Sequence, residues 1–137
     1  YLNTKIENYI FFNNFGVVKD FSGNPYPFTS KWSGNLDVEV RQPVDEGLDS
    51  FVGTTIAAQT SQRSALGADA FWDIPAYTLI DFRAGVESDK GWTASVFMRN
   101  TFNKYYWTNA LYSLDTFLRQ PGRPRTFGIS VSKRFGN

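Results

Sequence analysis

Apolar and polar residues alternate along several stretches of this chain, and the closing one, "GRPRTFGISVSKRFGN" (residues 122–137), shows it plainly. In a strand successive side chains point to opposite faces. Phe127, Ile129, Val131 and Phe135 then share one side, and Thr126, Gly128, Ser130, Ser132 and Arg134 the other. From Trp32, the residues Gly34, Leu36, Val38 and Val40 face away from Ser33, Asn35, Asp37, Glu39 and Arg41. Ile80, Phe82, Ala84 and Val86 alternate with Asp81, Arg83, Gly85 and Glu87. Trp92, Ala94, Val96 and Met98 alternate with Thr93, Ser95 and Arg99, although Phe97 interrupts the polar side. "SFVGTTIAAQT" (residues 50–60) reads as another strand, with Val52 and Ile56 as its apolar side. Leu2 and Ile6 suggest a strand under way from Tyr1. Helical periodicity is poor throughout, so the chain reads as all-β.

These six strands form three up–down pairs with strictly alternating connections. "DEGLD" (residues 45–49) and "SDKG" (residues 88–91) are tight turns. Long loops run over residues 13–30, 62–75 and roughly 103–120. An antiparallel sandwich and a barrel wall both ask for alternation. Only an outer-membrane barrel has a general reason to put short turns at one end and long loops at the other.

Composition narrows the choice. Phe, Tyr and Trp make up 18% of the chain, an excess that suits interfacial girdles. No stretch approaches the roughly 20 apolar residues of a spanning helix, so any membrane crossing must be made by strands. The formal net charge is +1, too balanced for a nucleic-acid partner. The sequence has no histidine and no cysteine. The usual general base and the usual zinc ligands are therefore missing, which argues against an enzyme, a metal centre or a bound cofactor.

"YTLIDFRAGVESDKGWTASVFMRNTFNKYY" (residues 77–106), followed by "GRPRTFGISVSKRF" (residues 122–135), closely resembles the last strands of TonB-dependent outer-membrane receptors. "PYPFTSKWSGNLDVEVR" (residues 25–41) resembles an earlier strand entry of the same family. Asn103 stands where the family usually has Asp, and Thr101 where it has Leu. Gly136 and Asn137 follow the aromatic on which the family commonly ends.

The resemblance implies an antiparallel transmembrane β-barrel in the outer membrane of a Gram-negative bacterium. Residues 1–137 would supply about six C-terminal strands of a 22-stranded wall. The plug domain and the motif that engages the TonB complex would belong to other parts of a longer protein. The implied function is active import of a scarce nutrient, a ferric siderophore or other iron complex first, with no chemistry on the cargo. Import of a carbohydrate or cobalamin is an alternative, as is a passive or structural barrel of the porin or adhesin kind. The implied partners are outer-membrane lipid, the remaining barrel and plug, the TonB complex, the barrel assembly machinery and a small-molecule ligand.

Within that frame, Asp81, Arg83 and Arg99 are expected to face the lumen. Gly128, Val131 and Phe135 are expected to lie on the strand read during assembly. Trp32, Trp92 and Phe135, near strand ends, suit an aromatic girdle. The loop aromatics Phe71, Trp72, Tyr105, Tyr106, Trp107 and Tyr112 suit either interfacial anchoring or contact with an aromatic or sugar ligand. Arg119, Arg123 and Arg125 form a basic run before the last strand, able to attract an anion or simply to keep the loop soluble.

Overall fold

The computed structural model describes residues 1–13, 16–67 and 69–135. Among these the protein is all-β and antiparallel. Its strands are β1 (Ile10–Phe12), β2 (Val18–Asp20), β3 (Ser33–Asp45), β4 (Leu48–Gln59), β5 (Gln62–Arg63), β6 (Asp73–Ile74), β7 (Tyr77–Ser88), β8 (Trp92–Arg99), β9 (Trp107–Ser113), β10 (Thr116–Pro121) and β11 (Thr126–Lys133). A 3-10 turn covers Ala70–Trp72. No helix among the described residues is long and apolar enough to cross a membrane, which leaves crossing by strands open.

The chain forms two compact units. One comprises residues 35–57, 78–104 and 123–137, and the other residues 1–34, 58–77 and 105–122. The first unit holds the body of a five-stranded sheet in the order β11-β8-β7-β4-β3. It is a meander in which chain neighbours within the sheet are spatial neighbours. The sheet is open. β3 and β11 are its edges, and they do not pair to close a barrel.

Five long strands share the sheet where the sequence suggests six. Residues 1–9 form no strand. Leu2 and Ile6 are four positions apart, a spacing that alternation alone does not need a strand to explain. The Leu2 amide instead donates to the Lys31 carbonyl, and Ile6 exchanges single bonds with Asn24 and Gly23. Ile6 is buried, and this, more than pairing in the main sheet, gives it an apolar role.

The two tight turns are as the sequence predicts. Glu46–Gly47 joins β3 to β4, with Gly47 at φ 70°, and Asp89–Gly91 joins β7 to β8, with Gly91 at φ 77°. A positive φ at these positions is cheap only for glycine among common residues. The turns are tied together, since the Asp89 amide donates to the Gly47 carbonyl at 3.0 Å. Strand ends leading to the long connections therefore gather at the opposite end of the sheet.

The long connections carry structure of their own. In the second unit β1 pairs with β2, β5 with β6 and β9 with β10, each as a small antiparallel ribbon. This unit's buried apolar residues include Phe21, Trp72, Ala110 and Ile74, the last with no exposed surface.

Candidate functional site

The five-stranded sheet presents two chemically opposite faces. Register fixes which residues share a face: Phe82 lies opposite Met98 and Met98 opposite Phe127, while Ala84 lies opposite Val96 and Val96 opposite Ile129. These rows form one apolar face. Leu36, Val38 and Val40 extend it on β3, and Val52 lies beside Phe82 on β4. The face is uncovered. Val52 is 60% exposed, Val96 54% and Ile129 77%. Soluble monomers rarely leave so continuous an apolar surface to water.

The other face carries a charge ladder. Asp37, Glu39 and Arg41 project from β3, and Arg83 and Glu87 from β7. Arg83 donates from Nη2 to Asp37 Oδ1 at 2.7 Å, from Nη1 to Asp37 Oδ2 at 2.9 Å, and from Nε to Glu39 Oε2 at 3.0 Å. Arg41 donates to Glu39 at 2.8 Å and to Glu87 at 2.6 Å. The Thr55 hydroxyl donates to Asp37. Two-pronged guanidinium–carboxylate pairing fixes orientation as well as charge.

β4 lies between β7 and β3, so Arg83 must cross it. It crosses over Gly53, where an added Cβ would lie 2.7 Å from the guanidinium carbon. The same device recurs twice. The Phe51 ring covers Gly85, and the Phe97 ring covers Gly128, each within 2.7 Å of where a Cβ would stand. Arg41 lies over Phe51 and Arg99 over Phe97, at 5.5 and 5.3 Å from the ring centres. Phe97, which interrupts the alternation in the sequence, is thus a plate laid across the glycine of the next strand. Glycine opposite a large side chain is the signal that could have revealed it.

Asp81, Arg83 and Arg99 share the polar face of the sheet. Asp81 makes a further tie. Its Oδ1 accepts from the Asn100 amide at 2.8 Å and anchors the turn after β8. Asn100 is 5% exposed and sits at φ 48°, a conformation Asn tolerates better than most residues. Its Nδ2 donates to the carbonyls of Lys104 and Arg123, and its Oδ1 accepts from the Lys104 amide. Asn103 Oδ1 accepts from the Arg125 amide. The "RNTFNK" segment is therefore a hydrogen-bonded knot joining the end of β8 to the entry of β11.

The loop aromatics divide. Trp72 is 4% exposed, so contact with a ligand is not open to it except as a wall; it is a core residue of its unit. Tyr106 packs on Tyr77, ring centres 4.5 Å apart, and covers Gly122. Tyr105 is exposed and meets Trp107 edge-on at 4.9 Å. Tyr112 donates its hydroxyl to Asp115 at 2.8 Å, and this bond raises its pKa from the ordinary tyrosine value. In the same unit Tyr9, Phe11, Phe21 and Trp72, with Lys19 and Asp69, line a cavity of about 390 Å³.

The basic run also divides by role. Arg119 lies over Phe71 and Trp107 at 5.3 and 5.5 Å, and also donates to the Phe71 carbonyl. Arg123 and Arg125 contribute backbone groups to the Asn100–Asn103 knot.

On β11, Gly128 belongs to the polar face beneath Phe97, and Val131 to the apolar face opposite Ala94. Phe135 follows the strand and is 85% exposed. Gly136 and Asn137 lie outside the described residues. Among the described residues no three His, Cys, Asp or Glu side chains gather as a metal site. Comparison of the chain with protein-family models, with curated proteins and with solved structures found no match.

Proposed function

We propose that this chain is part of the wall of an outer-membrane β-barrel receptor of the TonB-dependent kind. Such a receptor imports a scarce nutrient, a ferric siderophore or other iron complex first. The observation that carries this reading is the uncovered apolar face running across all five strands, backed by a charged and hydrogen-bonded face. Lipid on one side and a wet lumen on the other ask for that division. In β3 the apolar face runs from Leu36 to Val44, nine residues with Gln42 its one polar position, near the 9–11 of a tilted spanning strand.

The open edges support the same reading. An unpaired backbone group in hydrocarbon costs several kcal/mol. The free sides of β3 and β11 therefore need partner strands, supplied by further wall in the assembled receptor. The cargo itself undergoes no chemistry; the protein's task is binding, release and passage.

The test is made on the whole protein in its native membrane. It should fractionate with outer membranes and support uptake of iron complexes only while the energised inner-membrane complex is intact. Uptake that persists without that energy supply would favour the passive barrel. A protein found in the aqueous fraction would overturn the membrane reading.

A further inference from the structure

The second unit holds the cavity of about 390 Å³. One wall is the β1–β2 ribbon, which brings Phe11, Phe12 and Lys19, with Tyr9 just before it. The other wall is residues 64–67 with Asp69. Phe21 joins the two, lying 3.9 Å from where a Cβ would stand on Gly67. Phe21 and Trp72, each 4% exposed, form the buried floor. The rings of the ribbon wall are open by contrast: Tyr9 is 41% exposed, Phe11 56% and Phe12 57%. The centre of the Tyr9 ring lies 5.8 Å from that of Phe11 and 6.0 Å from that of Phe21. With rings so close, one organic cation can lie within about 6 Å of more than one ring centre, the reach of a cation–π contact.

We propose that this cavity binds a small zwitterion, its quaternary ammonium among the rings beside Asp69 and its phosphate or carboxylate at Lys19. The site stands apart from the membrane reading. Two charges pick the occupant. Lys19 and Asp69 line the cavity from different walls, and among the described residues neither side chain makes a hydrogen bond or an ion pair. The Asp69 carboxylate caps no amide of the 3-10 turn that follows it. A bare cation is opposed by Lys19 and a bare anion by Asp69, so each loses at one wall what it gains at the other. A molecule carrying both charges is favoured at both. The rings select the cation's chemistry, since aromatic-lined sites recognise quaternary ammonium groups, which have no N–H to donate. Asp69 supplies their counter-charge, and the Lys19 ammonium has three N–H donors for the anionic end.

The experiment titrates the full-length protein, in a mild non-ionic detergent, with phosphocholine by calorimetry. Tetramethylammonium and methyl glucoside are the comparison probes. Phosphocholine should bind more tightly than either. Lys19→Gln should weaken phosphocholine about tenfold, the worth of a hydrogen bond to a charged group, and should not weaken tetramethylammonium. Phe11→Leu keeps the apolar bulk but loses the ring, and should weaken both cations about fivefold. Val18→Ala, on the ribbon but off the cavity lining, should change neither. If Phe11→Leu binds like the parent, the rings do not hold the cation and the proposal fails. If Lys19→Gln lowers phosphocholine and tetramethylammonium equally, the anionic end is misplaced and the proposal fails. Methyl glucoside binding as tightly as phosphocholine would make this a neutral sugar site and overturn the charge assignment, and so would the absence of any binding. Where phosphocholine binds, competition by phosphatidylcholine vesicles assigns the zwitterion to a lipid headgroup, and lack of competition assigns it to a soluble molecule; the site stands in both cases.

Discussion

Asn100 shows how much one side chain can hold. It occupies a left-handed backbone position, is nearly buried, and makes three side-chain hydrogen bonds that join Lys104 and Arg123 to the end of β8. Replacing it with glycine keeps the backbone unstrained but leaves those groups unpaired, which should cost about 1–3 kcal/mol. Alanine adds left-handed strain, so Asn100→Ala should cost about 1 kcal/mol more than Asn100→Gly. Denaturant midpoints of the purified protein would read both, and equal midpoints for the two variants would remove strain from the account. Tyr112 offers a second residue-level check. Its phenol donates to Asp115, which raises its pKa. A raised folded pKa means the bond is intact below the ordinary tyrosine range and is lost as pH rises through the raised value. In Asp115→Asn, ultraviolet titration should show one tyrosine ionising at lower pH than in the parent.

At the scale of the strand, a one-residue shift in register would exchange the two faces. Charge placed on each face therefore tests the assignment directly. Phe82→Arg and Val131→Arg put a cation on the apolar face, which should cost about 2–4 kcal/mol for Phe82, mid-strand, and less for Val131, two residues from the end of its strand. Ser130→Arg, one position away on the polar face, should assemble normally. Folding into lipid vesicles, followed by the mobility shift of folded barrels on gels, measures both. Tolerance of arginine at both apolar positions would reverse the orientation. The polar face also depends on what is missing from it. Gly53, Gly85 and Gly128 leave room for Arg83, Phe51 and Phe97 to lie across neighbouring strands. Arg83 can reach Asp37 two strands away only because Gly53 presents no side chain.

For the whole molecule the decisive feature is the alternation of short and long connections along one meander. The two tight turns are bonded to each other at one end of the sheet, and the connections rich in small ribbons leave from strand ends at the other. In an intact cell, cysteines at Ser22 and Asn109 should react with a membrane-impermeant reagent added outside. Cysteines at Glu46 and Lys90 should react only after the membrane is opened. Labelling of one residue from each pair in intact cells would be incompatible with this topology.

The alternation of residues 33–41, 77–87, 92–99 and 126–133 was enough to determine the strands, because a period of two is a local property and needs no partner to be read. The turns at Gly47 and Gly91 were legible for the same reason, glycine being the residue that adopts a positive φ at least cost. The contrast of the two faces followed from them. Tertiary structure alone decided the rest. Leu2 and Ile6 resembled a strand, yet the segment bonds singly to residues near 23–31, a choice made by distant chain. Trp72 looked available in a loop and is buried. Asp81 reads as one more charge on the polar face, and that it also accepts the amide of Asn100 is not visible in the spacing. Phe97 looked like an error in the pattern until Gly128 came to lie opposite it. Each of these depends on which residues meet across strands far apart in sequence, and spacing along a single strand contains no record of that.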